Sequence, residues 1–312
     1  MSAPPVSAAD PIAALDADRE MGLVRTRIAR WLDGVDEELR GPLASAFAGN
    51  QKGFRPLTLF AAYRGVHDSP ISSQAIEQAF AVELVHNMSL VIDDVLDESA
   101  LRRGVPTLHS GFGRLPALMA SGYLVADAFA VLAEDPFACR HLAELLRRLA
   151  SAECLQWRLR REPLGTEDWR RIAGADTGSM FEICTVLGGR SQRLRRCGHL
   201  IGVLYHGCDD VADQRGVAGL GGGGEEDIRD GILTLPAAIA IRDRRTRELF
   251  LTDDDDEVRL AQLAQAFRSE LGAAERELDR IAEEACTEAR LSAEKPEPLI
   301  ALIGEIRHLS SR

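Results

Sequence analysis

The chain has 312 residues, of which 46% are hydrophobic, so it can bury a substantial core in one large or two ordinary domains. Its net charge of −12 argues against a nucleic-acid partner, because a phosphate backbone is bound by basic surface. The six cysteines form no C-x-x-C pair, and we expect a reducing, cytoplasmic environment. Neither a signal peptide nor a run of about 18 uninterrupted apolar residues is present, so the sequence predicts no membrane insertion.

In chain order, residues 1–13 are rich in alanine, proline and serine and are predicted to be disordered, while 14–312 form one all-helical domain. Apolar residues recur at helical spacing from Met21 to Leu32, and the pattern continues to Phe47. The next segment carries Lys52, one of only two lysines in the chain, and Arg55. An ammonium group and a planar guanidinium bind phosphate oxygens in different ways, the arginine in a bidentate manner.

A long helix is predicted from Ser72 to Leu101, and its apolar pattern is interrupted by Asp93, Asp94 and Asp97. Residues four apart lie on the same face of a helix, so Asp93 and Asp97 are stacked and Asp94 lies to one side. Such like charges repel unless a cation lies between them. Mg²⁺ fits this role, since it takes oxygen ligands and is usually completed by water and substrate phosphates. A single cluster of this kind is also compatible with a solvated helix end.

Arg102 and Arg103 follow the cluster, and Gly104 and Pro106 then stop the helix. Both arginines would be aimed back at a diphosphate held by the aspartates. Residues 115–160 show a helical period that is broken near Asp135 and Pro136, and the arginines at 158, 160 and 161 are interpreted as a solvated face.

A second acidic cluster, Asp209, Asp210 and Asp213, repeats the D-D-x-x-D spacing at the end of another apolar helical stretch. If the two clusters face each other across a helical bundle, they form a cage for several Mg²⁺ ions and one diphosphate. The glycine run from 219 to 224 follows no strand and lacks a G-K-[ST] ending, so we interpret it as a flexible lid. Amphipathic helices complete an all-α bundle, with no strand-like alternation of any length.

These motifs resemble those of the trans-prenyl diphosphate synthases, the polyprenyl synthetase family. Both D-D-x-x-D clusters match, and further segments match in order: Lys52-Gly53-Phe54-Arg55-Pro56, Glu83-Leu84-Val85-His86, Arg102-Arg103-Gly104-Val105-Pro106-Thr107, Thr177-Gly178, and Asp227-Ile228-Arg229-Asp230-Gly231-Ile232-Leu233-Thr234-Leu235-Pro236. The matched segments run from about residue 50 to 240 and are, in combination, highly specific.

The resemblance implies an isoprenoid-synthase-type helical bundle with a central cavity, and commonly a homodimer. It implies three Mg²⁺ ions held by Asp93, Asp97 and Asp209, with Asp94, Asp210 and Asp213 beside them. An allylic prenyl diphosphate would ionise there and be attacked by isopentenyl diphosphate. The substrate-binding positions that the resemblance assigns are Lys52, Arg55, His86, Arg102, Arg103 and Thr177. The expected product is a trans-prenyl diphosphate of about C15 to C20, with Met88 and Ser89 lining the tunnel that receives its tail.

The chain departs from the family pattern mainly on the side of the allylic donor. Asp176 and Ile232 occupy family lysine positions, and Tyr205-His206 replaces the usual Phe-Gln, whereas the acceptor side differs only at Gly53. These departures predict weak donor binding, unless other arginines, such as Arg102 and Arg215, hold the donor.

Three functions therefore remain open. The chain could elongate a prenyl diphosphate, or it could use the same metal cage to cyclise its substrate or to prenylate a non-isoprenoid acceptor. It could also be a non-catalytic subunit of a heteromeric synthase. The last is disfavoured by six aspartates in register, which a purely structural subunit has no need to present.

Overall fold

The computed structural model describes residues 10–48, 52–102, 104–216, 224–254 and 256–311, and it is all-α, as predicted. The helices are α1 Pro11–Ala14, α2 Asp18–Asp33, α3 Glu37–Ala46, α4 Phe54–Arg64, α5 Ser73–Leu96, α6 Leu108–Phe112, α7 Arg114–Val131, α8 Pro136–Arg158, α9 Thr166–Ala173, α10 Ser179–Gly189, α11 Arg195–Gln214, α12 Gly224–Asp230, α13 Leu235–Ala240, α14 Arg244–Leu251, α15 Glu257–Ser269, α16 Leu271–Ser292 and α17 Glu297–Arg307.

Three kinds of shorter element complete the described chain. Two-residue strands, β1 Leu101–Arg102 and β2 Val105–Pro106, pair in an antiparallel hairpin. A π-helical turn, Gly174–Gly178, joins α9 directly to α10, and 3₁₀ turns lie at Gln192–Leu194 and His308–Ser311. Single π-turns inside helices often mark functional sites, because the extra residue re-aims the neighbouring side chains.

The first helix begins inside the segment that composition predicts to be disordered. Pro11 opens α1, the Asp10 side chain accepts a hydrogen bond from the Ile12 N–H, and Ile12 is buried. Burial of this side chain gives residues 10–13 a packing role that their composition does not reveal. Residues 1–9 and the predicted lid at 219–223 lie outside the described chain.

Helices α5, α10 and α11 form the centre of the bundle. Helix α5 packs along α7, α10 lies between α4 and α11, and α11 packs on α16. Every residue of α10 is buried. Helix α5 is unusual because it also buries polar side chains, Gln78, Glu83, His86, Asn87 and Asp94. Burying polar groups costs free energy unless they are paired, so their placement on a central helix indicates a polar cavity inside the bundle.

Helix α5 ends at Leu96, five residues earlier than the sequence predicts. Glu98 adopts a positive φ of 54°, and the chain then turns into the β1–β2 hairpin. The Asp97 N–H still donates to the Asp93 carbonyl at 2.9 Å, so the helical stacking of Asp93 and Asp97 is retained. None of the described helices is both long and apolar enough to cross a membrane.

Candidate active site

A cavity of about 660 Å³ lies between the C-terminal halves of α5 and α11. Both acidic clusters line it, so the structure brings together Asp93 and Asp97 from α5 with Asp209, Asp210 and Asp213 from α11. Four more carboxylates line the same cavity: Glu153, Asp176, Glu226 and Asp227. The facing arrangement predicted from the repeated spacing is therefore present, and the cavity wall is strongly acidic.

The first cluster is electrostatically strained. Burial, reinforced by the nearby Glu153 and Asp176, raises the pKa of Asp93 well above its usual range. Burial also raises the pKa of Asp97, although the Arg160 guanidinium opposes this, with Arg160 Nη2 3.0 Å from Asp97 Oδ1. Carboxylates in such surroundings either hold a proton or attract a cation.

The second cluster shows the same strain, but its members have different partners. Burial and the neighbouring Asp213 raise the pKa of Asp209 to about 7. Asp209 Oδ1 is buried and has no hydrogen-bond partner in the part of the chain that the structure describes. By contrast, Asp210 Oδ2 accepts from the indole of Trp169 and from the Leu235 N–H, both at 2.8 Å, so Asp210 also holds the start of α13 in place.

The residues present fit Mg²⁺ by the chemistry of their donor atoms. Carboxylate oxygens are its preferred ligands, and the orphaned Asp209 Oδ1 needs a partner. No group of three or more His, Cys, Asp or Glu side chains forms a ready-made metal site within the described ranges. Mg²⁺ is generally bound through one or two carboxylates, with waters and substrate phosphates completing its shell.

Asp94 lies apart from the other five aspartates of the two clusters. It is buried, it accepts a 2.6 Å hydrogen bond from Arg102 Nε, and it lines a second, smaller cavity instead of the large one. Burial raises its pKa despite the arginine. Its ion pair fixes Arg102 on the hairpin that follows α5. Arg103 falls outside the described residues.

The smaller cavity contains the sequence motifs on the side predicted to hold the acceptor. Lys52, Arg55 and His86 line it together with Asp94 and Arg102. The two cavities share five wall residues: Arg55, His86, Leu90, Arg102 and Tyr205. The structure therefore places two binding volumes side by side, one with basic groups and one with acidic clusters.

The departure at Gly53 has a local structural explanation. Gly53 precedes α4 with a φ of +66°, in the left-handed region that favours glycine. A Cβ atom there would lie 2.4 Å from Met21 Cε. A larger residue would be strained at this φ and would push the end of the Met21 side chain aside, so the turn favours glycine.

The other departures form a small network on the π-turn. Thr177, the predicted substrate-binding threonine, donates to Asp176 Oδ2 at 2.9 Å and lies 3.0 Å from His206 Nδ1. His206 Nε2 is also 3.7 Å from Asp210 Oδ1. The histidine thus lies between two carboxylates, and Asp176 and His206 are spatial neighbours that complement each other.

Three residues in the wall of the large cavity were not predicted from the sequence. Glu153 and Asp227 were not identified as site residues, and Arg160 was interpreted as part of a solvated face. Glu153 lines the large cavity, and its burial, with Asp176 and Asp97 nearby, raises its pKa to about 7. It follows Leu149 by four residues on α8, so a charge in an apolar stripe was the available signal. Asp227 was noted only as part of a motif. Burial and the second cluster raise its pKa well above the usual range.

The third residue is Arg160, for which the prediction of a solvated face is wrong. Its side chain is 21% exposed and lines the large cavity, and the neighbouring Arg161 is 18% exposed. Arg158 is exposed, as predicted. Arg215, named as a possible donor contact, instead pairs with Glu275 at 2.8 Å and does not line the cavity.

Of the two residues on α5 that were predicted to line the tail tunnel, Ser89 and Met88, only Ser89 lines the cavity. Ser89 lines the large cavity, one turn before Asp93. Met88 is buried and is not part of the cavity wall, because the two side chains point to different sides of the helix.

An all-helical bundle with two facing acidic clusters and an adjoining basic cavity defines a class of enzymes that act on diphosphates through bound metal ions. The family model for polyprenyl synthetase matches residues 36–267. The chain is 30% identical over 264 residues to the nonaprenyl diphosphate synthase of Mycobacterium tuberculosis, covering 76% of this chain and 78% of that enzyme. It is also 30% identical over 190 residues to geranylgeranyl pyrophosphate synthase 4 of Arabidopsis thaliana, covering 54% and 51%.

Solved structures give the same result for the fold. A polyprenyl synthase from Caulobacter crescentus, complexed with calcium and isoprenyl diphosphate, superposes with a TM-score of 0.84 at 24% identity over 99% of both chains. The chain therefore belongs to the polyprenyl synthetase family and is a prenyltransferase with the isoprenoid-synthase fold. The family is Mg²⁺-dependent, and its members named above differ widely in product length.

Proposed function

We propose that this protein condenses an allylic prenyl diphosphate with isopentenyl diphosphate to give a longer trans-prenyl diphosphate. One observation carries the proposal: two cavities that share a wall, one lined by both acidic clusters and the other by Lys52, Arg55 and His86. A reaction between two diphosphates needs two such volumes. Their shared wall would bring the reacting carbon atoms together.

The acidic cavity would receive the allylic donor. Asp93, Asp97 and Asp209 are the residues that would hold Mg²⁺, three ions by analogy with the family, while Asp210 and Asp213 shape the same wall. When bound, Mg²⁺ neutralises the diphosphate as it leaves the allylic carbon. The indole of Trp169 and the Leu235 N–H hold Asp210 in position, so this part of the wall is preorganised.

The basic cavity would receive isopentenyl diphosphate. Lys52, Arg55, His86, Arg102 and Arg103 are the proposed contacts, with Arg102 aligned by Asp94. The C–O bond of the donor breaks, and the π electrons of the acceptor alkene form the new C–C bond. The proton that the acceptor loses goes to the released diphosphate. Leu90 and Tyr205 lie in the shared wall and would limit access of water to the allylic cation.

We further propose a product of about C15 to C20, although the relatives extend to nonaprenyl synthases. The test is to incubate the pure protein with Mg²⁺ and each allylic diphosphate, with and without isopentenyl diphosphate, and to analyse alcohols and hydrocarbons. A chain-elongated prenyl alcohol after phosphatase treatment supports elongation. Hydrocarbons formed without isopentenyl diphosphate would indicate a cyclase. No turnover with any donor would indicate a non-catalytic subunit.

A homodimer is also part of the proposal. The last residue of α6 and the first half of α7 expose Phe112, Leu115, Leu118 and Met119, and Leu115 is 69% exposed. An exposed apolar stripe of this kind is typical of a protein–protein interface, and a second copy of the chain is the occupant we propose. Sedimentation analysis should give about twice the 34.0 kDa chain mass, and Leu118→Glu should give monomers.

The six free cysteines agree with the reducing, cytoplasmic environment that we expect.

A further inference from the structure

The large cavity has few cations of its own for an anionic substrate. Among the described residues, nine carboxylates line it, against Arg55, His86, Arg102, Arg160 and His206, and the first three of these are shared with the smaller cavity. Arg160 is thus the one arginine of the described wall that belongs to the large cavity alone. A diphosphate bound there requires positive charge from this side.

The Arg160 guanidinium is held at the cavity wall by two carboxylates. Nη2 lies 3.0 Å from Asp97 Oδ1, and Nη1 lies 3.4 Å from Asp230 Oδ2. Its carbon lies 3.9 Å above the Trp157 ring, which orients its plane. Nε is buried and has no hydrogen-bond partner among the described residues. Each terminal nitrogen carries a second N–H, and a planar guanidinium of this kind is suited to bind phosphate oxygens.

The backbone next to Arg160 fixes its position against the turn that carries Ile232. The Arg161 N–H donates to the Gly231 carbonyl at 2.9 Å. Arg161 and Gly231 both have positive φ, and a Cβ at Gly231 would lie 2.4 Å from Arg161 Cγ. The end of α8 is therefore fitted closely to the turn after α12. Asp230, the second carboxylate partner of Arg160, stands two residues before Ile232.

We propose that Arg160 binds the diphosphate of the allylic donor, and that this arginine supplies, from the turn after α8, the positive charge that is missing at Ile232. The proposal rests on the proposed function, because it assumes that the donor occupies the acidic cavity. The second N–H group of each terminal nitrogen, Nη1 and Nη2, would donate to phosphate oxygens, while Asp230 keeps the side chain anchored. The competing explanation is a purely structural clamp that joins Asp97 to the turn.

The test compares Arg160→Gln with Arg158→Gln, an exposed arginine on the same helix end. Three quantities are measured in the full-length protein with Mg²⁺: the KM for farnesyl diphosphate, the KM for isopentenyl diphosphate and the Kd for inorganic diphosphate. We expect Arg160→Gln to raise the donor KM and the diphosphate Kd by about tenfold to a hundredfold, since a charge-assisted contact is lost. The KM for isopentenyl diphosphate should stay within about twofold, and Arg158→Gln should change none of the three.

A rescue experiment separates donor binding from a clamp. Ile232 lines the same cavity, so the double variant Arg160→Gln/Ile232→Lys restores a positive charge without restoring the bridge to Asp97. Recovery of diphosphate binding to within about threefold of wild type supports the proposal. An equal rise in both KM values, with a lower melting temperature and no rescue, would overturn it.

The same measurements separate this proposal from the proposed function. If the wild-type protein binds inorganic diphosphate but forms no elongated product, the proposed function fails, and the diphosphate Kd still tests Arg160. If elongation occurs and the diphosphate Kd is unchanged in Arg160→Gln, the role of Arg160 fails and elongation stands.

Discussion

The two cavities differ in how their walls treat an anion. The smaller one has Lys52, Arg55, His86 and Arg102 in its wall, so it can bind a diphosphate through the protein's own cations. The larger one is lined by nine carboxylates of the described chain, and without counter-ions these carboxylates would repel a diphosphate. Although the two cavities share five wall residues, a diphosphate would be bound in different ways in them. The smaller cavity can bind it directly, and the larger one needs bridging metal ions.

Helix directions reinforce this difference. The N-terminal turn of α4, with Gly53, Phe54 and Arg55, opens into the smaller cavity. The C-terminal turns of α5 and α11 deliver Asp93 and Asp213 to the larger one. A helix N-terminus carries partial positive charge and a C-terminus partial negative charge. The N-terminus of α4 thus favours an anion in the smaller cavity, and the C-termini of α5 and α11 favour a cation in the larger one.

The largest effect should come from breaking the acidic cavity. Asp93→Ala or Asp209→Ala should each reduce the rate of product formation by about a hundredfold or more, because the leaving diphosphate is no longer neutralised. Steady-state turnover at saturating Mg²⁺ measures this effect. Asp33→Ala, an exposed aspartate on α2, serves as the control and should be unaffected. Near-normal turnover in either cluster variant would contradict the cage of two clusters.

The smaller cavity should respond through a different parameter. Lys52→Ala should raise the KM for isopentenyl diphosphate by about tenfold, because one charge-assisted contact is worth about 1.5–3 kcal/mol. The donor KM should change by less than about twofold, since Lys52 lines only the smaller cavity. The chain's other lysine, Lys295, pairs with Asp68 at an exposed site and is the matched control. A larger effect on the donor KM would mean that the two substrates are assigned to the wrong cavities.

A substitution in the large cavity should change the product and leave binding of both diphosphates intact. Ser89→Phe places an aromatic ring one helical turn before Asp93, where the growing tail must pass, and should shorten the main product by about one isoprene unit. Chromatography of the dephosphorylated products measures the length. Ser151→Phe, at an exposed position on α8, should leave the length unchanged. An unchanged product in Ser89→Phe would show that the tail runs elsewhere.

The sequence predicts these cavities unequally well. The all-α fold and the stacking of Asp93 and Asp97 follow from local spacing, because a D-D-x-x-D repeat on a helix fixes which side chains share a face. The family and the meeting of the two clusters were inferred from the motifs in combination. The spacing also predicts that Asp94 lies to one side, but not that it pairs with Arg102, since this pairing depends on a hairpin after the helix end. Arg160 was misinterpreted for a related reason. Its burial comes from contact with Asp230, 70 positions later, which no local pattern encodes.

The smallest expected effect concerns stability in the absence of metal, and its main source is the acidic cavity. The pKa of Glu153 and that of Asp209 are both raised to about 7 by burial and neighbouring carboxylates, and that of Asp93 lies well above its usual range. In the unfolded chain these groups titrate near pH 4.

Between about pH 4 and 7 the folded protein therefore holds protons that the unfolded chain has released, so stability falls as the pH rises through this window. The melting temperature of the metal-free protein should fall between pH 5 and pH 8, and added Mg²⁺ should recover most of the loss at pH 8. Glu153→Gln removes one titrating charge and should raise the metal-free melting temperature at pH 8 by about 2–4 °C, with little effect at pH 5. Glu283→Gln, at an exposed position on α16, is the control. A melting temperature that rises with pH in the metal-free protein would contradict mutual repulsion of the carboxylates in this cavity wall. The predicted fall would support the conclusion that the acidic cavity needs a bound cation for its stability at neutral pH.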